Sequence, residues 1–390
     1  MANQLLTPSV IAKEALLQLE NNLVFGNLVS RTFKNEFVKV GDTVTVRKPV
    51  RFTAADGATI NIQDVTEQST TITVDTRKHV AWKFSSEELT LDIDQYSQRY
   101  IQPAISALAQ AVDAKIASLY AEIPNAVGTA GTTPNSFAAL GAAGKLLDKY
   151  AVPQTGRNLV VDPEARWALA DALKGVYQQQ MVQGILQDAA LGRVAGFDIY
   201  GDQNINKHTA GVASGTPLVN GAGQSGNSIV TDGWTASISG ILKKGDIITF
   251  AGVYGVNPIN KQSTGELKQF VVTADVNSDG AGNATVPISP AIITSGNYQN
   301  VTAGPADNAA ITVIGNHTAN MAFHKSAIQL VTVPLELPAG AAFKAQETYN
   351  GLSVRIVRDY DITNDQDIIR LDILFGAKVV YPEMACRLLG

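Results

Sequence analysis

Residues 37–84 alternate between polar and apolar side chains, and this alternation constrains the fold more than any other feature of the chain. The apolar positions are Val44 and Val46 on the outward arm, and Ile72, Val74, Val80, Trp82 and Phe84 on the return. A period of two predicts strands with one buried face. A two-stranded hairpin is at best marginally stable alone in water, so this one must lie on its own domain or reach onto another chain.

Helical patterns stand on both sides of the hairpin. Thr7, Pro8 and Ser9 supply capping residues and a first-turn proline for an N-terminal helix. Its apolar side is expected to hold Val10, Ala12, Leu16, Leu17 and Leu19. This side must dock either on the core of its own chain or on a neighbouring subunit.

A second helical stretch covers 85–123, where Ser85 or Ser86 offers a capped start. Pro103 interrupts the pattern, so we place a separate long helix from about Gln102 to Ile123, a rod of about 33 Å. Its apolar stripe is Ile105, Leu108, Val112, Ile116, Leu119 and Ile123.

The rest of the chain changes character twice. Residues 135–200 predict a mixed α/β region, with helices over 136–150 and from Pro163 and a buried strand over 158–162. Residues 209–320 are rich in Gly, Thr, Ser and Asn, and their short strand-like runs are typical of a small all-β barrel or sandwich inserted into the α/β region. Residues 352–381 alternate again and predict a long β-hairpin.

Composition excludes several classes of protein. The chain has 390 residues, with 35 acidic against 30 basic, which argues against a dedicated nucleic-acid binder. Cys386 is the single cysteine, so neither an intrachain disulfide nor a thiolate zinc cluster can form. No apolar run is long enough to span a membrane. The N-terminus lacks signal-peptide features, so we expect synthesis in the cytoplasm without export by the usual route.

Motifs that carry chemistry are weak throughout. Gly221–Gly226 matches G-x-G-x-x-G but precedes a strand, and Asp275–Gly280 resembles a calcium loop whose twelfth position is Val286. An acidic turn holds Asp361, Asp365 and Asp367, and four scattered histidines show no metal-ligand spacing. We therefore expect no catalytic residue, no metal site and no cofactor.

The ordered set of elements resembles the major capsid proteins of tailed phages, which have the Hong Kong-97 fold. The C-terminal segment 376–389, GAKVVYPEMACRLL, is similar to the closing strand of that family. A closer similarity is to coat proteins of the Salmonella-podovirus type, which carry an inserted β domain. Three further segments carry it: the spine at 100–123, VAGFD at 194–198 and LKKGDIITFAGV at 242–253.

The resemblance implies an α+β tailed-phage capsid fold with an inserted small all-β barrel domain. The segments expected are an N-terminal arm (1–36), an extended hairpin or E-loop (37–84), a peripheral domain with the spine helix and long β-hairpin (85–130 and 346–378), an axial domain (131–208, 321–345 and 379–390) and the inserted barrel (209–320). In relatives a longer, charged loop early in the insertion joins capsomers; here residues 218–228 are short and uncharged, so that contact is not carried over.

The function implied is that of a structural coat protein. Copies would assemble as pentamers and hexamers into an icosahedral virion shell that encloses double-stranded DNA without sequence-specific binding. Assembly would take place in the host bacterial cytoplasm through a scaffold-assisted procapsid that matures by expansion. The partners implied are the chain itself, a scaffolding protein, a portal protein and, as a further candidate, decoration proteins; no membrane is involved.

Five charged residues of the hairpin are candidates for contacts between subunits: Arg47, Lys48 and Arg51 on one arm, and Asp64 and Glu67 near the tip. For any one of them, a solvated loop charge is the alternative interpretation. At the level of the whole chain, the alternatives are a secreted or surface-layer β-rich adhesion protein and an enzyme with a split active site in the mixed region.

Overall fold

The structure is a computed structural model and describes residues 8–31, 43–52, 57, 62–63, 65, 67–85, 100–173, 191–341, 343–364 and 366–390. The chain divides into two compact units. The first comprises Met1–Arg47, Ser69–Ile116 and Ile328–Val380, and the second Lys48–Gln68, Ala117–Ala327 and Tyr381–Gly390.

The described residues form helices, strands and short 3-10 turns. The α-helices are α1 Pro8–Asn22, α2 Phe25–Leu28, α3 Gln102–Ser118, α4 Phe137–Lys149 and α5 Pro163–Leu173. The first ten strands are β1 Thr43–Arg47, β2 Ser69–Thr73, β3 Thr76–Ser85, β4 Ala126–Val127, β5 Arg157–Val161, β6 Arg193–Val194, β7 Phe197–Gly201, β8 Lys207–His208, β9 Gly215–Val219 and β10 Gly226–Trp234. The rest are β11 Ile247–Val256, β12 Ser263–Val272, β13 Ala284–Ile292, β14 Ile311–Val313, β15 His317–His324, β16 Ile328–Thr332, β17 Phe343–Tyr349, β18 Leu352–Asp361, β19 Gln366–Val379 and β20 Ala385–Leu389. The 3-10 turns are Leu119–Glu122, Lys325–Ala327 and Pro382–Met384.

The first unit is built on a five-stranded antiparallel sheet around β19. One stretch of β19 pairs with β18 and another with β16, while β3 pairs with β19 along Gln366–Phe375. Helix α1 packs on β17 and β18 of this sheet, burying Ile11, Leu16 and Leu19. The N-terminal helix therefore docks on the core of its own chain, although Leu17, expected on the apolar side, is more than half exposed.

The hairpin predicted over 37–84 differs from the observed pairing on its return arm. Strands β1 and β2 form a two-stranded sheet in which Val46 faces Thr70 and Arg47 faces Ser69. The chain then leaves this sheet, and β3 joins the large sheet of the first unit. Alternation identifies the strands of residues 76–85, but it does not specify their partner, because β-strands pair through backbone groups that every residue carries.

Two carboxylates stabilise the first unit from within. Asp113 on α3 is buried and accepts hydrogen bonds from the backbone N–H groups of Val24 (2.7 Å) and Gly26 (2.9 Å). It therefore joins the spine helix to the turn that leads into α2. A spacing argument placed Asp113 off the apolar stripe of α3 and did not indicate its burial.

Asp372 on β19 is fully buried although the alternation placed it opposite the apolar face. It accepts hydrogen bonds from Arg355 (2.5 Å), Arg370 (2.9 Å) and Arg77 (3.2 Å), which lie on three strands. Burial opposes ionisation, but the hydrogen bonds and charges of Arg355 and Arg370 outweigh it and hold the pKa of Asp372 below its ordinary value. The carboxylate thus cross-links β3, β18 and β19.

The second unit contains a mixed sheet in the order β4-β20-β15-β5-β7-β6, with β8 paired to β15. Strand β5 is buried along its whole length, as its apolar sequence predicts. Helices α4 and α5 pack on this sheet through a core that includes Leu147, Leu169 and Phe197. The Ser136 hydroxyl caps α4 by accepting from the N–H of Ala139 at 3.2 Å.

The residues predicted to form an inserted β domain make a six-stranded sheet in the order β14-β11-β12-β13-β10-β9. Its two edges meet, because Leu218 bridges Ala310 and the N–H of Val219 donates to the carbonyl of Ala309 at 3.0 Å. The sheet therefore closes into a barrel around its own core, which holds Trp234, Phe250 and Phe270. Closure removes the exposed strand edges that would otherwise pair with other chains.

The observed elements confirm an α+β chain with an inserted barrel-like sheet. The pattern over 86–99 and most of the weak helix expected over 178–192 lie outside the described residues, so those two predictions stay predictions. The five segment boundaries likewise remain predictions. No helix among the described residues is long and apolar enough to cross a membrane.

Candidate functional site

The base of the extended loop carries three of the five residues predicted to contact other subunits. Arg47 ends β1 opposite Ser69. The backbone N–H of Lys48 donates to the carbonyl of Gln68 at 2.7 Å, which closes the loop 48–68 at its root. Arg51 follows within this loop and is part-buried.

Arg51 is held by groups of its own chain in the second unit. Its guanidinium forms an ion pair with Glu383, 2.8 Å between Arg51 Nη2 and Glu383 Oε1, and lies 5.9 Å from the ring centre of Tyr298. Glu383 is positioned by the short 3-10 turn that begins at Pro382. The pair anchors the loop to the residues that precede β20.

Lys48 lies beside the same turn. Its ammonium group is 5.6 Å from the ring centre of Tyr381, within the range of a cation–π contact. Burial lowers the pKa of Lys48, and the charge of Arg51 lowers it further, while Glu383 opposes the shift. The two cations thus share one carboxylate.

The remaining predicted residues are placed less completely. Glu67 is described and exposed, whereas Asp64 lies outside the described residues. The structure therefore brings Lys48 and Arg51 together around Glu383, and it does not test a contact of any of the five with another subunit.

Loop 48–68 also exposes large apolar side chains. Phe52 is 63% exposed, Val65 66% and Ile62 87%. Single exposed apolar residues are common on protein surfaces, but three on one loop are a feature of a surface that a partner covers.

A buried polar cluster joins the barrel to the mixed sheet inside the second unit, and sequence reasoning missed it. His208 Nε2 lies 2.7 Å from Asp246 Oδ1, and His208 Nδ1 lies 3.0 Å from the Tyr120 hydroxyl. Asp246 Oδ2 accepts from the backbone N–H groups of Lys243 (2.8 Å) and Gly211 (3.0 Å). The histidine and the aspartate stand 38 residues apart, so no local spacing indicated the pair.

Arg387 and His317 complete this cluster. Arg387 is fully buried, donates to the carbonyls of Gly245 (2.8 Å) and Ile123 (3.0 Å), and lies over the Tyr120 ring. Burial lowers the pKa of Arg387 to about 9 and that of His317 to about 4. Gly245 has a φ of +98°, and an added Cβ would come within 3.2 Å of His208, so glycine permits this close approach.

Two salt bridges fasten the opposite side of the barrel. Glu266 on β12 lies 2.7 Å from Lys145 and 2.8 Å from Lys149, both on α4. The Gln269 side chain pairs with both backbone groups of Ala126, at 2.6 and 2.9 Å. These contacts and the His208 cluster hold the barrel against the mixed sheet within the unit.

The motifs that suggested chemistry take structural roles. Asp279 of the calcium-like segment accepts hydrogen bonds from the N–H groups of Ala281 and Asn283, both at 2.8 Å, as an ordinary turn aspartate does. Cys386 is buried, and burial raises the pKa of its thiol. Among the described residues, no group of three or more His, Cys, Asp or Glu side chains is placed to hold a metal ion.

Comparison with known proteins is consistent along the whole chain. A family model described as P22 coat protein, gene protein 5, matches residues 1–390. The chain is 26% identical over 261 residues to the major capsid protein of Acyrthosiphon pisum secondary endosymbiont phage 1. That alignment spans 61% of this chain and 62% of the relative.

Solved structures with similar folds also come from phages. One, of Mycobacterium phage Che8, is 16% identical with a TM-score of 0.49, over 94% of this chain and 90% of that one. Another, the capsid structure of the cyanophage P-SCSP1u, is 13% identical with a TM-score of 0.49, over 94% of this chain and 87% of that one.

Proposed function

The chain belongs to the P22 coat protein family, and from this premise we propose that it is the major capsid protein of a tailed bacteriophage. The match over residues 1–390 is the observation that carries the proposal, because it covers both units and the inserted barrel together. The major capsid protein of the endosymbiont phage supports the same role, although this chain aligns with 62% of its length.

Copies of the chain assemble as pentamers and hexamers into an icosahedral shell around double-stranded DNA. Many modest contacts suffice for such a shell, because each added subunit makes several of them at once. The exposed Phe52, Ile62 and Val65 of loop 48–68 support contact with a neighbouring copy. At about 25 cal/mol per Å² of apolar surface, covering a side chain of this size stabilises the contact by about 1–3 kcal/mol.

Assembly proceeds through a scaffold-assisted procapsid in the host cytoplasm, and the shell expands as DNA is packaged. A scaffolding protein and a portal protein are the expected partners, with decoration proteins as a further candidate. The net charge of −5 suits a container for DNA, since a strongly basic wall would bind the phosphates tightly. The family match favours this role over a surface-layer adhesion protein or an enzyme.

Electron microscopy of the full-length chain, co-expressed with the scaffolding protein of the same phage, tests the proposal. We expect closed shells of uniform diameter, with five-fold and six-fold capsomers in the reconstructions. A chain that stays monomeric at high concentration with its scaffold present would contradict the proposal. Two-dimensional lattices would instead favour the surface-layer alternative.

A further inference from the structure

A cleft of about 280 Å³ lies in the second unit between the base of loop 48–68 and the barrel. Three cations line it, Lys48, Arg51 and Lys268, against one carboxylate, Glu383. The remaining walls are aromatic, aliphatic and amide side chains, among them Tyr150, Tyr298, Pro258, Ile293, Gln299 and Asn300. Such a combination suits an acidic ligand with apolar neighbours.

Lys268 is the strongest indication of a missing anion. Its side chain is on β12, and the residue is only 4% exposed. Its ammonium group donates to the Tyr150 hydroxyl at 3.0 Å and lies 4.3 Å from the centre of that ring. Among the described residues it forms no salt bridge with a carboxylate. A buried ammonium ion is costly unless an opposite charge compensates it, so this side of the cleft lacks a counter-ion.

The other cations of the cleft are also under-compensated. Glu383 is engaged by Arg51 at 2.8 Å, and Lys48 depends on the same carboxylate. Lys261, on the barrel near Arg51, has its pKa lowered first by burial and then by the charge of Arg51. A second carboxylate entering the cleft would relieve this mutual repulsion.

We propose that the cleft binds the acidic tip of the β18–β19 hairpin of a second copy of this chain. The proposal rests on the proposed function, since it requires self-association. Asp359 and Asp361 on this tip form no ion pair among the described residues; their carboxylates accept from N–H groups of the same turn. The neighbouring Tyr360 and Ile362 are 51% and 84% exposed, which matches the aromatic and aliphatic walls of the cleft.

The lining favours a carboxylate over a free phosphate. Phosphate sites usually present several backbone N–H groups at the start of a helix or in a glycine-rich loop. Here the described walls come from strands, loops and a three-residue 3-10 turn that begins with Pro382, which has no N–H to donate. Side-chain cations with aromatic neighbours are instead suited to an extended acidic peptide.

A peptide titration against the unassembled full-length chain tests the site. The probe is a fluorescently labelled peptide of residues 358–369, closed by a disulfide after Val357→Cys and Arg370→Cys, two residues that face each other in the hairpin. We expect saturable binding by fluorescence anisotropy. Lys268→Gln should weaken it at least ~10-fold, as should Asp359→Asn with Asp361→Asn in the peptide, because each removes one side of a charge pair.

Lys244→Gln is the matched control, because Lys244 is an exposed barrel lysine outside the cleft, and it should leave binding within about twofold. If Lys268→Gln fails to fold, Lys48→Gln at the cleft replaces it, with the same expected loss. Equal binding of the acidic and neutral peptides would overturn the proposal, as would displacement of the peptide by millimolar inorganic phosphate. Shells without peptide binding would sink this inference alone, whereas peptide binding without shells would sink the proposed function.

Discussion

At the residue scale, the polar groups that hold each unit together are buried and come from distant parts of the chain. Asp113 accepts two backbone hydrogen bonds from residues that precede it by nearly 90 positions. Asp372 is surrounded by three arginines, and His208 faces Asp246 across the joint between barrel and mixed sheet. Buried polar groups of this kind stabilise a fold only while every partner is in place.

His317 predicts how the joint responds to acid. Burial holds its pKa at about 4, against 6.5 in an unfolded chain, so the unfolded state binds the extra proton between these values. Stability is complete above pH 6.5 and falls as the pH drops toward 4, by about 2 kcal/mol at pH 5 from this group alone. Urea unfolding at pH 7.5 and pH 5 measures the loss.

His317→Gln should remove about 2 kcal/mol of that pH dependence, since glutamine does not titrate. His79→Gln is the matched control, because His79 is exposed, and it should leave the pH dependence of the wild type unchanged. Equal slopes for the two variants would show that burial of His317 does not contribute.

At the scale of elements, strand partners matter more than strand positions. Strand β3 continues the alternation of the loop but pairs with β19, so only β1 and β2 form the stalk of the extended loop. The loop between them has one backbone closure at its root and exposed apolar side chains beyond it. It contributes little burial to its own unit and is free to act between copies.

Removing the tip of this loop, residues 53–66, should leave a folded monomer that assembles poorly. Ile62→Asn with Val65→Asn should have the same effect more mildly, because exposed apolar residues add little to the stability of the monomer. Circular dichroism checks folding, and light scattering with electron microscopy checks assembly. Val212→Asn, at another exposed apolar position, serves as the control substitution. Normal shells from the deletion would rule out an intermolecular role for the tip.

At the scale of the whole molecule, the barrel is a closed module with its own core. Its two edges meet at Leu218 and Ala310, and its apolar interior is contributed by its own strands. Family membership together with this architecture confirms the α+β capsid fold with an inserted barrel. An inserted module that closes on itself can be added to a coat protein without exposing new strand edges.

Residues 209–320 should therefore fold alone. We expect a dispersed amide spectrum by NMR and a cooperative thermal transition, because the core around Phe250 and Phe270 is complete within the fragment. Loss of the contacts from Tyr120 and Arg387 should lower its stability relative to the intact chain. A collapsed spectrum typical of a disordered chain would contradict the prediction.

The sequence by itself determined the elements and their order. Helices α1, α3 and α4, the buried strand β5 and the strands of the barrel follow from periodicity, caps and composition, all of which act over a few neighbouring residues. It also indicated the cationic side of the extended loop at Lys48 and Arg51. The resemblance carried by the ordered set led to the family that the comparison then established.

Only the tertiary structure decided which distant groups meet. The transfer of β3 to the large sheet, the buried joint of His208 with Asp246 and the uncompensated Lys268 all depend on residues far apart in the chain. The physical reason is that backbone pairing is the same for every sequence, and a charge reveals its role only through the partners and the burial that the fold gives it.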